Sequence, residues 1–276
     1  MIITGGIMIY KINAIYFSAT GTTEKLVKKI SCELSNKLKS EVNFLNFTLA
    51  EARKKSHFFD ENDLVIVGLP VYAGRVPNVL LSFVNSLKAD GALAVAVVVY
   101  GNRNYDDALV ELKDILDTNR FNVIAAGAFI GEHSFSKTLA ESRPDEDDLI
   151  LASDFANQIY RKISALNYKN LEVKGNRPYR AYYKPKDAQG NYVDIRKVIP
   201  KTNEDCTNCK LCVSVCPMGS IDYDNVSQLT GICIKCGACI KKCPVNAKYY
   251  DDENYLRHKC ELEVEYVERK EPELFI

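Results

Sequence analysis

A chain of 276 residues, 47% of them apolar, is long enough for about two domains and can bury a sizeable core. Its 36 acidic and 36 basic side chains cancel, so no overall field selects nucleic acid or an anionic membrane. The longest apolar run, Ala92–Tyr100, is far too short to cross a bilayer.

The first residues, M-I-I-T-G-G-I-M-I-Y-K, carry no basic leader and no cleavage site, so no signal peptide is read, and Met8 is a second candidate start. Without export the ten cysteines belong to a reducing compartment, where metal or cluster ligation is favoured over disulfides. The expected location is the cytoplasm.

Up to residue 166, apolar strand-like runs alternate with stretches of helical period, the pattern of an α/β domain with a parallel sheet. Strands are predicted at Ile12–Phe17, Val42–Phe47, Leu64–Leu69, Leu93–Tyr100 and Phe121–Ile130. The third and fourth are unbroken Val/Ile-rich runs, as in strands covered on both faces. Leu26, Ile30, Leu34 and Leu38 mark one helical stripe, and Leu109, Leu112 and Leu116 another. A last helix is predicted from Pro144, with Asp145 to Asp148 at its dipole-positive end. Five strands and about five helices in this order predict a three-layer, doubly wound parallel five-stranded sheet over residues 8–166.

The first strand runs through S-A-T-G-T-T, Ser18 to Thr23, into a helix. Such a loop offers a phosphate backbone N–H groups and the hydroxyls of Ser18, Thr20, Thr22 and Thr23, and Gly21 allows close approach. The same residues also fit a plain threonine-capped helix start. The loop is neither a dinucleotide fingerprint nor a Walker loop. Two more loops follow strands: P-V-Y-A-G-R-V-P (Pro70–Pro77) and Y-G-N-R-N-Y-D-D-A (Tyr100–Ala108). Together the three resemble the FMN site of flavodoxins. The resemblance implies that Val71, Tyr72, Ala73 and Gly74 flank the isoalloxazine ring on one side, and Tyr100, Gly101, Asn102, Arg103 and Tyr105 on the other. It also implies a Gly74 carbonyl directed at the redox-active ring nitrogen. Which of Tyr72, Tyr100 and Tyr105 stacks on the ring stays open, as does ordinary packing for each. His133, in G-E-H-S after the fifth strand, reads as a loop histidine held by a structural hydrogen bond.

Eight of the ten cysteines fall in two runs of C-x-x-C-x-x-C-x-x-x-C-P: Cys206, Cys209, Cys212, Cys216 and Cys233, Cys236, Cys239, Cys243. Three thiolates at this spacing let one loop reach three corners of an iron–sulfur cube, leaving the fourth to a distant residue. Structural zinc needs neither a third evenly spaced thiolate nor the C-P ending. The runs resemble bacterial two-cluster ferredoxins. That resemblance implies one 4Fe-4S cluster on Cys206, Cys209, Cys212 and Cys243, and another on Cys233, Cys236, Cys239 and Cys216. Cys32 and Cys260 fall outside the pattern and read as structural thiols. Lys210, Lys235, Lys241 and Lys242 lie among the cysteines and are candidates for a positive docking face.

Residues 167–201, with five tyrosines between Tyr168 and Tyr192, read as an ordered connector, residues 202–250 as the ferredoxin part, and residues 251–276 as a helix and tail that tucks into a groove or frays. The whole resembles the flavodoxin–bacterial ferredoxin fusions of anaerobes, the EFR-type ferredoxins. The resemblance implies an electron-transfer protein relaying between FMN and two 4Fe-4S clusters, with a redox protein as donor or acceptor. Neither nucleic acid nor membrane insertion is expected, and a homodimer is left open. The alternatives are an FMN-dependent reductase of a quinone, nitro or sulfur compound, and a module whose clusters only hold the fold.

Overall fold

A computed structural model describes Ile9, residues 11–169 and residues 171–276; the candidate start at Met8 lies outside them. The first part contains β1 (Lys11–Tyr16), α1 (Thr22–Leu38), β2 (Glu41–Asn46), β3 (Phe58–Phe59), β4 (Asp63–Pro70), α2 (Leu81–Ser86), β5 (Lys88–Ala89), β6 (Leu93–Tyr100), α3 (Ala108–Thr118), β7 (Asn122–Ile130) and α4 (Glu146–Ser164). After the connector come β8 (Lys201–Thr202), α5 (Leu211–Ser214), α6 (Ala238–Lys241), β9 (Lys248–Tyr249), α7 (Glu253–Glu265) and β10 (Glu273–Phe275).

The main sheet has the order β2-β1-β4-β6-β7-β10. The first five strands are parallel, the flavodoxin-like doubly wound order. β6 shows how sequence makes the layers. Ala94, Ala96, Val98 and Tyr100 enter one core with Leu109, Leu112 and Leu116 of α3. Leu93, Val95, Val97 and Val99 enter the other with Leu26, Ile30 and Leu34 of α1 and Phe155 and Ile159 of α4. A period of two splits one apolar strand between two faces, and a period near four lines each helix against one of them. The five predicted strands lie within a residue of those observed. One crossover differs: between β2 and β4 the chain makes a single 3₁₀ turn, Ala50–Lys54, with none of its residues buried, where a helix was expected.

The acidic run before α4 is a helix start. The Asp145 carboxylate accepts from the Asp148 N–H (3.1 Å) and the Asp148 carboxylate from the Asp145 N–H (3.0 Å), a reciprocal cap. Asp148 is fully buried and also receives Arg143 Nε at 2.8 Å. Arg143 in turn donates to the Lys270 carbonyl (2.8 Å), and Arg269 to Asp145 (2.6 Å). These bonds lead the tail onto the sheet, where Glu273–Phe275 pair antiparallel with Ala126–Ala128. The tail therefore tucks in as a sixth strand on the five-stranded sheet and covers the β7 edge. Among the described residues no helix is long and apolar enough to cross a membrane.

Arg143→Met strands a buried carboxylate, which costs about 3–5 kcal/mol, whereas breaking the exposed Arg120–Asp90 pair costs at most about 1 kcal/mol. Denaturant unfolding of the two variants should show that contrast.

Candidate functional site

The strand ends of β1, β4, β6 and β7 bring loops 18–23, 70–77, 100–105 and 131–136 to one edge of the sheet. In the first, the Ser18 N–H donates to Thr48 Oγ1 (2.8 Å) and Ser18 Oγ accepts from the Glu24 N–H (3.0 Å). Gly21, at φ 101°, starts α1 with no side chain capping it, and a β-carbon there would meet nothing within 4 Å. The start of a 17-residue helix thus has open space beside Gly21, which fits a phosphate, while the Glu24 N–H is held by Ser18 and the Thr22 side chain lies against Gly131. Thr48, which orders this loop, carried no local sequence signal.

In the second loop, Tyr72 and Arg75 exchange both backbone bonds (3.1 Å each) around Ala73 and Gly74, whose φ angles are 53° and 77°. The Gly74 carbonyl, expected toward a flavin nitrogen, accepts the Asp107 N–H (3.1 Å), and the Ala73 carbonyl accepts the Tyr183 N–H (2.9 Å). Arg75 turns away to a bidentate pair with the buried Glu111 (2.7 Å), beneath Tyr179 and Tyr182 of the connector. In the third loop Tyr100 and Tyr105 are core residues, packed at 5.6 Å. Asn102 donates to the Tyr266 and Glu268 carbonyls of the tail (2.6 and 2.8 Å), and Arg103 pairs with Asp106 under Tyr183. Of the three tyrosines, Tyr72 is the one half-buried at the mouth.

His133 packs against Gly101 so closely that a β-carbon there would lie 2.3 Å from its ring. Its Nδ1 accepts the Phe135 N–H (3.1 Å), the structural bond read from sequence. Burial, and after it the charge of Lys241, lowers its pKa to about 3.

The second cysteine run docks on this edge. Gly237, at φ 73°, lies so near loop 131–136 that a β-carbon would sit 2.5 Å from the Ser134 carbonyl oxygen. Lys241 donates to the His133 and Ser136 carbonyls (2.7 and 2.8 Å) and pairs with Glu132, and Arg53 reaches the Pro217 carbonyl (2.7 Å). Val215, Ile234, Cys236 and Ala238 pack on the α3-side core of the sheet. Burial, and after it the charges of the Cys236 and Cys233 thiolates, raises the Tyr72 pKa. Two of the four docking lysines are therefore structural: Lys241 is the clamp, and the buried Lys235 donates to the Arg196 and Cys233 carbonyls.

The cysteines surround two cavities. Cys206, Cys209, Cys212 and Cys243 line one, with Thr207, Asn208 and Val245 exposed at its rim. Cys216, Cys233, Cys236 and Cys239 line the other, with the buried Ala238 and Tyr250 on one side and the exposed Ile232 at its rim. Each cavity takes the fourth cysteine of the opposite run. Among the described residues no group of three or more Cys, His, Asp or Glu closes on a point that would hold a single ion. Cys216 Sγ accepts the Ser220 N–H (3.4 Å) and Cys243 Sγ the Ala247 N–H (3.2 Å), bonds suited to ligand sulfur. Burial pushes the Cys236 and Cys239 thiols up to about 12, so a cationic partner is needed to hold them as thiolates. Burial opposes the Cys243 thiolate too, yet backbone N–H groups from Val245 to Lys248 outweigh it. The two sets of four cysteines fit two iron–sulfur cubes. Cys32 and Cys260 are exposed and stand apart from both cavities.

Residues 14–132 match the family described as a flavodoxin domain, and residues 164–259 the one described as a 4Fe-4S dicluster domain. No curated protein matches the chain. Similar solved structures include a flavodoxin from the domain Archaea (15% identical, TM-score 0.41, covering 56% of this chain and 99% of that one). Others are an NADH:FMN oxidoreductase in apo form (19%, 0.42, 56% and 91%) and a Fusobacterium nucleatum flavodoxin bound to flavin mononucleotide (16%, 0.38, 55% and 98%). The flavodoxin domain implies FMN, and the dicluster domain implies two 4Fe-4S clusters.

Because His133 titrates at about 3 when folded and near 6.5 when unfolded, the unfolded chain takes up the proton first on acidification. The stability tied to the neutral ring is whole above 6.5 and is lost progressively as pH falls towards 3. Between about pH 7 and about pH 5 the Tm of His133→Gln should fall less than that of the unmodified protein.

Proposed function

We propose, for a chain that is a flavodoxin domain joined to a 4Fe-4S dicluster domain, that it relays electrons between FMN and its two clusters, coupling a two-electron partner to a one-electron one. The electron-transfer role follows from the two domains; the route is the proposal. It is carried by one observation: Gly237, next to Cys236, lies so close to loop 131–136 that a β-carbon would sit 2.5 Å from the Ser134 carbonyl oxygen. His133 of that loop packs on Gly101, so the ring-flanking loops and the second cysteine run share a boundary. When bound, FMN exchanges one or two electrons and each cluster one.

Ser18, Thr20, Gly21, Thr22 and Thr23 hold the phosphate with the α1 N-terminus, and Tyr72 flanks the ring. The cavity of Cys216, Cys233, Cys236 and Cys239, whose Cys236 and Ala238 pack on the sheet core, is the inner station, and that of Cys206, Cys209, Cys212 and Cys243 the outer, where a redox protein docks. The connector and the tail cover loops 72–75 and 101–105 through Tyr183, Tyr266 and Glu268, which favours a carrier over a reductase of small acceptors. We place the protein in the cytoplasm, where ten free cysteines stay reduced.

Anaerobic purification should yield one FMN and about eight irons per chain. Cys243→Ser should remove the outer cluster and Cys216→Ser the inner one, each leaving the other intact by EPR. Steady turnover of a quinone or nitro compound without a protein partner would favour the reductase instead.

A further inference from the structure

The two cysteine runs are copies of one pattern, and one position breaks the copy. Five residues beyond the fourth cysteine of each run stand Ile221, after Cys216, and Lys248, after Cys243. Both are buried, at 5% and 4% exposure. Ile221 lines the cavity of Cys216, Cys233, Cys236 and Cys239; Lys248 lines that of Cys206, Cys209, Cys212 and Cys243. Equivalent walls of the two cavities thus carry a branched apolar sec-butyl side chain in one case and an ammonium in the other.

Lys248 Nζ donates to Thr202 Oγ1 (2.7 Å) and to the Val226 carbonyl. Both partners are neutral, and among the described residues no ion pair includes Lys248. A buried ammonium without a counter-anion is strongly disfavoured. Lys248 lines the same cavity as Cys206, Cys209, Cys212 and Cys243. The missing anion is supplied by the thiolate sets themselves once iron is bound.

We infer that Lys248 is a buried potential-setting charge, which raises the reduction potential of the cluster held by Cys206, Cys209, Cys212 and Cys243 above that of its neighbour. This rests on the ligand sets of the proposed relay. The step it biases is the entry of one electron into a cluster, with no bond made or broken. Each entering electron adds one negative charge, and a fixed positive charge at close range and low dielectric lowers the energy of the reduced form. Burial keeps salt from screening it. Ile221 supplies nothing equivalent, so two sites of matching ligand chemistry become unequal, with the outer one the more easily reduced. Lys248 acts through the field and is a positioning residue, not a catalytic one.

The test is a redox titration of the anaerobic holoprotein followed by EPR, with the clusters assigned through Cys243→Ser and Cys216→Ser. Lys248→Gln keeps donors for Thr202 and Val226 but removes the charge; Lys248→Ile makes the two halves alike; Lys248→Arg keeps the charge. In the Gln and Ile variants the outer cluster should shift to lower potential by more than the inner one, so that the gap between them narrows, while Arg retains most of it. Should Lys248→Ile not fold, Gln against Arg decides alone. Loss of the outer cluster in Gln but not in Arg also supports charge compensation. Unchanged potentials in Gln at full iron content, or equal shifts or equal cluster loss in Gln and Arg, would overturn the inference. If Cys243→Ser leaves both clusters in place, the ligand sets fail, and that result is separate from any behaviour of the Lys248 variants.

Discussion

A single methyl group at residue 237 would strike the Ser134 carbonyl at 2.5 Å, and the rest of the molecule depends on that closeness. The contact sets the second cysteine loop directly on the edge of the sheet where three loops gather. A left-handed glycine does two things there: it starts the short helix α6, and it admits the backbone of the other domain. Electron transfer needs short gaps, and a gap set by backbone against backbone does not breathe as a side-chain contact does.

Burial then decides the chemistry of the junction. Lys241 satisfies its donors with two carbonyls and Glu132, so a charge that would serve as surface bait becomes a clamp. His133 stays neutral beneath it because desolvation and that same charge both oppose protonation. The enclosed thiols favour a cationic partner for the same reason. One low-dielectric region therefore rigidifies the joint and biases the inner site towards iron. The cavity of Cys206, Cys209, Cys212 and Cys243 has Thr207, Asn208 and Val245 exposed at its rim.

Much of this was legible in the sequence, for identifiable reasons. The alternation of β6 and the four-residue stripe of α1 report burial directly, so the sheet could be read strand by strand. The cysteine spacing reports ligation, and the structure gathers each remote cysteine with the opposite run. Lys241 and Lys235 misled because charge type says nothing of exposure; only the fold shows which lysines face carbonyls. The bond from the Asp107 N–H to the Gly74 carbonyl joins residues 33 apart and is announced by no local pattern. The tail's pairing with β7 is likewise a long-range fact, fixed by Arg143 and Arg269 rather than by strand propensity. The break between Ile221 and Lys248 was present in the repeat, but its meaning needed the cavities.

The central claim is that flavin and clusters exchange electrons inside one chain. The most direct measurement is rapid photoreduction of the flavin in the anaerobic holoprotein, following cluster bleaching as the protein concentration is varied. Transfer within one chain gives first-order cluster reduction at a rate independent of concentration. A rate rising in proportion to concentration, which marks transfer only on collision between molecules, would contradict it.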